Sequence, residues 1–266
     1  GKGANQAIAA SRLAADTTFI SKVGKDGNAN FILEDFKKAG IHTQYILTSE
    51  SEETGQAFIT VDEAGQNTIL VYGGANMTLS ATDVEMSVDA FIGADFVVAQ
   101  LEVPFEAIEQ AFKIARKQNI TTVLNPAPAI ELPKSLLELT DIIIPNETEA
   151  ELLTGISINN ESDMKETATY FLDLGISAVL ITLGEQGTYC AYQEQYKMIP
   201  ACNVKAIDTT AAGDTFIGAF LSELNKDLSN LESAIRLANQ ASSLTVQRKG
   251  AQASIPTRKE VEAEYN

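Results

Sequence analysis

The spacing of apolar positions changes period along this chain, and that change predicts its elements. Ala7, Ile8, Ala10, Ser11 and Leu13 give a small-residue helical pattern near the start. Residues 17–20, Thr-Thr-Phe-Ile, read as a strand that ends by Gly24. Phe31, Ile32, Leu33 and Phe36 predict a helix closed by Gly40. Gln56–Val61 and Asn67–Tyr72 read as two strands joined by the turn Asp62-Glu63-Ala64-Gly65-Gln66, a hairpin. Further on come four buried strands, at 95–101, Thr121–Leu124, 141–144 and Ala178–Thr182. Pro104 opens a helix that runs to about Gln118, and helices are expected after each of the last two strands. Two long helical patterns, 212–224 and Leu231–Val246, close the chain.

Strands that are almost wholly apolar are covered on both faces, and here they alternate with helices. The expected fold class is therefore α/β, a mostly parallel central sheet with helices on both faces. No internal repeat or Pro/Ser-rich linker divides the 266 residues, so 1–266 is expected to be a single domain, with the hairpin at about 55–73 as a small appendage. Ligands of such sheets bind beyond the carboxyl ends of the strands. Glu102, Asn125, Asn146 with Glu149, and Thr182 with Gly184 occupy those ends.

Composition narrows the chemistry. With 36 acidic and 19 basic side chains the formal net charge is −17, a field that repels nucleic acid and anionic lipid. It also repels nucleotides, so a nucleotide site here must rely on helix N-termini, Mg²⁺ and backbone N–H groups. Cys190 and Cys202 form neither a disulfide framework nor a metal site, and the single histidine, His42, reads as a surface or otherwise satisfied residue rather than a catalyst. No apolar run approaches the ~20 residues of a membrane span, and no signal peptide is visible. The expected location is the cytoplasm. The opening Gly1-Lys2-Gly3-Ala4-Asn5 runs straight into a helical pattern, which suggests that residues upstream are missing.

The segment Asp208-Thr209-Thr210-Ala211-Ala212-Gly213-Asp214-Thr215-Phe216 carries the strongest chemical signal. Small residues at 211–213 let a ligand approach the backbone. A helix starting there presents free N–H groups and a positive dipole end, an anion hole for a transferring phosphoryl group. Asp214, in the first turn, is placed to accept a hydroxyl proton. A plainer reading has Asp208 as a cap and Asp214 as a partner of the dipole. Asn146-x-x-Glu149 is equally an ordinary capping box, and Gly184 and Gly187 equally plain turn glycines. Neither a P-loop nor a full dinucleotide fingerprint is present.

Asp-Thr-x-Ala-Ala-Gly-Asp resembles the signature of the ribokinase, or phosphofructokinase-B, family of carbohydrate kinases. Gly1-Lys2-Gly3-Ala4-Asn5-Gln6 is similar to the family's sugar-binding Gly-Gly-Lys-Gly-Ala-Asn, less its first glycine. Asn125-Pro126-Ala127-Pro128, Pro145-Asn146-Glu147-Thr148-Glu149, Thr182-Leu183-Gly184-Glu185-Gln186-Gly187 and Arg248-Lys249-Gly250-Ala251 follow in family order. The resemblance covers essentially the whole chain.

The resemblance implies ATP-dependent phosphorylation of D-ribose to D-ribose 5-phosphate, with Asp214 as catalytic base and Ala211, Ala212 and Gly213 as anion hole. Gly1, Lys2, Gly3, Ala4 and Asn5, with Glu102, would hold the sugar. Asn146, Thr182, Leu183, Gly184, Glu185, Gln186, Gly187, Gly213 and Asn239 would line the ATP site. Glu149 would place Mg²⁺ through water. Asp208, Thr210, Thr245, Arg248, Gly250 and Ser254 would hold K⁺, several through backbone carbonyls. The hairpin would be a β lid and a homodimer surface, with part of the lid and a core strand lying upstream of Gly1. Deoxyribose, fructose or a nucleoside are alternative substrates, and a truncated, non-catalytic nucleotide-binding protein is the alternative class. The upstream residues would separate the two.

Overall fold

The computed structural model describes residues 1–61 and 67–265. Its elements run α1 (Lys2–Arg12), β1 (Ser21–Val23), α2 (Gly27–Lys38), β2 (Ile46–Thr48), β3 (Gln56–Val61), β4 (Asn67–Tyr72), α3 (Ala81–Met86), β5 (Phe96–Ala99), α4 (Phe105–Lys117), β6 (Thr121–Leu124), α5 (Lys134–Glu138), β7 (Ile142–Ile143), α6 (Glu147–Thr154), α7 (Glu161–Asp173), β8 (Ala178–Thr182), β9 (Gly187–Tyr192), β10 (Gln195–Pro200), α8 (Ala212–Glu223), α9 (Leu231–Val246) and α10 (Arg258–Tyr265).

The main sheet has the order β10-β9-β8-β7-β6-β5. Strands β5 to β8 are parallel, and β9 and β10 are antiparallel to their neighbours. Alternate side chains leave each strand on opposite faces. Val123, Ile142, Ala178 and Leu180 therefore pack under α8 and α9. Leu124, Ile143, Val179 and Ile181 pack on the other face against α4, α5 and α7. Each fully buried Leu, Ile or Phe adds about 1.5–3 kcal/mol, which fixes the register of every central strand.

Several expectations are corrected. The strand expected at 17–20 lies at Ser21–Val23 and pairs with β2, which had not been anticipated; Thr18 keeps only a single bridge to His42. No long helix follows β8. A one-turn 3-10 segment, Gly184–Gln186, leads into the antiparallel β9–β10 hairpin. Its turn residues Gln193 and Glu194 both have left-handed φ, 49° and 62°, the geometry that matches strand twist in a two-residue hairpin. The β3–β4 pair forms as expected, as a two-stranded sheet of its own, while its expected turn at 62–66 lies outside the described residues. His42 pairs with Asp16 at the surface (2.8 Å), and both cysteines are free. No helix among the described residues is long and apolar enough to cross a membrane.

Helix α8 is the centre of the molecule, with 214–220 buried without interruption. It crosses α1 at Gly218. A Cβ there would press on the Ala9 Cβ and lie 2.6 Å from the Ala10 nitrogen and 2.7 Å from the Gln6 carbonyl oxygen. Only a residue without a side chain lets the two backbones approach so closely. Gly218→Ala should therefore destabilise the fold by about 1–3 kcal/mol, the usual cost of overpacking, as measured by urea denaturation.

Candidate active site

The carboxyl ends of the parallel strands converge as the topology requires, and α1 lies across them. Asp214 sits in the first turn of α8 and is buried. The Asn5 amide donates to its Oδ2 (2.8 Å) and the Gln6 amide to its Oδ1 (3.0 Å). Gln6 also donates to Asn125 Oδ1 (3.0 Å) at the end of β6, and accepts from Gln100 (2.5 Å) beyond β5. Glu102 Oε2 accepts from the Lys2 N–H (2.6 Å). A side chain at Gly1 or Gly3 would strike Glu102 or Gln100, at 2.7 and 2.8 Å. The glycines of the opening motif thus let the start of α1 settle onto the strand ends.

The start of α8 is open to an anion. Ala211, the residue before the helix, has left-handed φ of 62°. Ala212 gives its N–H to the Thr209 carbonyl (3.2 Å), so it is withdrawn from the hole expected at 211–213. Among the described residues, the N–H groups of Ala211, Gly213 and Asp214 have no protein partner. A Cβ on Gly213 would meet open space. The open donors therefore sit beside the Asp214 carboxylate, where helix dipole and unpaired N–H groups favour negative charge.

Asn146 and Glu149 form the capping box of α6. The Asn146 N–H and amide donate to the two Glu149 oxygens at 2.9 and 3.0 Å, and the Glu149 N–H returns to Asn146 Oδ1 at 2.8 Å. Burial pushes the Glu149 carboxyl above its usual range, and the Asp214 charge adds to this. The Asn146 N–H and the Lys2 charge oppose it. Lys2 and Asp214 are thus both within electrostatic reach of Glu149. Thr182 bridges to Asn146 and donates its N–H to the Pro145 carbonyl (2.9 Å), which sets 182–187 beside the α6 start. Gly187, at φ 113°, passes the Ala201 nitrogen so closely that a Cβ would lie 2.6 Å away. Asn239 is engaged inside the fold. Its amide donates to the carbonyls of Ile199 (3.2 Å) and Pro200 (3.1 Å), and its Oδ1 accepts from Thr188 (3.1 Å). It supports this wall without offering a free polar atom.

A second cluster clamps the start of α8 from the far side. Asp208 Oδ1 accepts from the Thr210 N–H and Oδ2 from the Gly250 N–H, both at 2.9 Å. Ile207 and Asp208 both donate to the Val246 carbonyl, at 2.7 and 3.1 Å. Thr245 donates its hydroxyl to Thr215 (3.0 Å), and Ser254 to the Ala251 carbonyl (2.6 Å), which leaves lone pairs on both oxygens. The Arg248 guanidinium turns away to Glu260 (2.8 Å). This cluster can offer a cation backbone carbonyls and the Asp208 carboxylate, an oxygen set suited to a hard ion. No group of three or more His, Cys, Asp or Glu that could hold a metal occurs among the described residues.

The profile described as pfkB family carbohydrate kinase matches residues 1–258. The chain belongs to this family. It is 65% identical to the ribokinase of Staphylococcus aureus (strain COL) over 261 residues, 98% of this chain and 86% of that one. It is 35% identical to the deoxyribokinase of Salmonella typhimurium (strain LT2) over 258 residues, 97% of this chain and 84% of the other. The solved structure of Arabidopsis thaliana ribokinase complexed with ribose and ATP superposes with a TM-score of 0.90 at 33% identity, covering 99% of this chain and 86% of that one.

Around Asp214, the sequence alone pointed to no role for Gln6, Gln100 or Gly218. A Gln beside a recognised motif is no signal by itself, and a lone helical glycine reveals its partner only once the helices cross. The cluster behind α8 yields a pH prediction. Hydrogen bonds from Thr210, its side chain first, and from the Gly250 N–H hold the Asp208 carboxyl below the usual range. A depressed folded value stabilises above the unfolded pKa of about 3.9, and the benefit is lost as pH falls through the folded value. Asp208→Asn should therefore cost about 1 kcal/mol near pH 7, since water still reaches the group. Urea denaturation from pH 7 to 3 should show the gap from wild type closing below about pH 4.

Proposed function

We propose that the chain phosphorylates D-ribose with ATP, giving D-ribose 5-phosphate and ADP. The observation that carries this reading is Asp214 at the open start of α8, with the sugar-motif residue Asn5 hydrogen-bonded to its carboxylate at 2.8 Å. The 65% identity to a ribokinase over 98% of the chain supports it.

In this reading the attacking sugar hydroxyl replaces Asn5 on Asp214 Oδ2 and loses its proton there as its oxygen bonds to the γ-phosphorus. The bond to the ADP oxygen breaks in line, and no phosphoenzyme forms. The N–H groups of Ala211, Gly213 and Asp214 stabilise the charge on the transferring oxygens. Gly1, Lys2, Gly3, Ala4, Asn5 and Glu102 orient the sugar. Asn146 and the 182–187 loop border the nucleotide, with Asn239 behind them. Mg²⁺ bound with ATP supplies neutralisation of the triphosphate. Both Glu149 oxygens are already engaged by Asn146, which favours contact with that ion through water. Asp208 and the carbonyls around 208–210 and 245–254 would hold K⁺, which keeps the start of α8 in shape without touching substrate.

The β3–β4 hairpin serves as lid to this one-domain kinase and as the surface of a homodimer. Phe58, Leu70 and Val71 there are more than half exposed, which supports such a contact. Two free thiols and ATP as co-substrate support a cytoplasmic setting. Deoxyribose is the second reading, favoured by the 35% identity to a deoxyribokinase.

Release of ADP should be measured against ribose, deoxyribose and fructose, in K⁺ and in Na⁺. The highest kcat/KM is expected with ribose, and a higher rate in K⁺. A preference for deoxyribose would move the assignment to the second reading. Asp214→Asn should lower turnover roughly 10²–10⁴-fold, and near wild-type turnover in that variant would remove Asp214 as the base.

A further inference from the structure

Gln6 lies beside the sugar-binding segment, and its side chain is confined more tightly than any of that segment's own. It is 2% exposed, and every polar atom has a partner. Its Nε2 donates to Asp214 Oδ1 and to Asn125 Oδ1, both at 3.0 Å, and its Oε1 accepts from the Gln100 amide at 2.5 Å. These partners fix which way the amide points. Turned over, its oxygen would face two other oxygens, and its NH₂ group would face the Gln100 NH₂. Asn125 is anchored in turn, donating to the Ile144 carbonyl at 3.0 Å. A continuous set of hydrogen bonds therefore runs from the ends of β5 and β6 to the carboxylate.

The two oxygens of Asp214 are held differently. Oδ1 is held by a buried side chain tied to the sheet. Oδ2 is held by Asn5, a half-buried residue on the sugar side. The terminal torsion of an aspartate is broad, so the helix alone does not fix the plane of its carboxylate. We infer that Gln6 is a positioning residue for Asp214, holding Oδ1 against the strand ends so that Oδ2 faces the sugar hydroxyl. This inference rests on Asp214 being the base. Its partner set, three side chains from three separate elements, has one feature a packing role does not require: both donor hydrogens go to acceptors, one of them the catalytic carboxylate.

Gln6→Met keeps the length and removes the donors. It should lower kcat roughly ten- to a hundredfold, the scale of a misplaced reacting group, with the KM values for ribose and ATP nearly unchanged. Gln100→Met removes only the donor behind Gln6 and should produce a smaller loss of the same kind. The deciding measurement is a double-mutant cycle on ADP release at high enzyme concentration. If Gln6 acts through Asp214, adding Gln6→Met to Asp214→Asn costs little further turnover. An equal loss in both backgrounds would overturn the inference and leave Gln6 a packing residue. Wild-type kcat in Gln6→Met beside an inactive Asp214→Asn would also overturn it while leaving the base in place. A fully active Asp214→Asn would remove the base itself. Should Gln6→Met not fold, the same cycle with Gln100→Met decides.

Discussion

The close crossing of α1 and α8 at Gly218 is the constraint on which the site depends. The contact is backbone to backbone, with Ala9, Ala10 and the Gln6 carbonyl filling the space a side chain would need. One helical turn before Gly218 lies Asp214. About one turn before Ala9 and Ala10 lie Asn5 and Gln6. Because both helices have the same 5.4 Å pitch, a crossing fixed at one level brings these residues together at the next. The hydrogen bonds from Asn5 and Gln6 to Asp214 are thus consequences of helix packing as well as of their own chemistry. Distance from the reacting atoms does not make Gly218 neutral.

The start of α8 is held from two sides. Towards the Gly1–Gln6 segment it meets α1. On the far side Asp208 joins the 207–210 loop to Gly250, Thr215 bonds Thr245, and the Ala212 carbonyl accepts from Ser242 at 2.9 Å. An anion hole must be preorganised to stabilise developing charge without reorganising during reaction. A helix start with unpaired N–H groups would otherwise fray. The tertiary clamp keeps Ala211 in its left-handed conformation and leaves the Gly213 and Asp214 donors open.

Electrostatics follow the same logic. A chain of net charge −17 is a poor partner for ATP at long range. The site answers locally, with the dipole end of α8, open N–H groups and the Lys2 charge. Burial raises the Glu149 carboxyl and the Asp214 charge raises it further, while the Asn146 N–H and the Lys2 charge oppose both. A bound cation would relax this arrangement further, which fits a nucleotide arriving with Mg²⁺.

Much of this was legible in the residues themselves. Apolar runs and their interruptions located β6 and β8, the β3–β4 pair, and helices α8 and α9, because period and capping are local properties. Small residues followed by Asp at a helix start marked the 208–216 segment but fitted an ordinary cap equally well, and the resemblance to the ribokinase family decided between the two readings. The β9–β10 hairpin was missed because Gln193-Glu194 is not a sequence that announces left-handed turn residues; strand pairing imposes that conformation. The strand expected at 17–20 moved to 21–23 because its register is set by pairing with β2, not by its own propensity. Asn239 enters the expected ATP site through the resemblance alone, and no local pattern indicates that β9 and β10 engage its side chain. The sequence by itself determined which segments are helix or strand and which residue types carry charge or proton affinity. Only the tertiary structure decided that Gln6 and Gln100 are linked to Asp214 and that Gly218 meets α1, because hydrogen bonds and close approach depend on distances between residues about a hundred to two hundred positions apart, which no local pattern encodes.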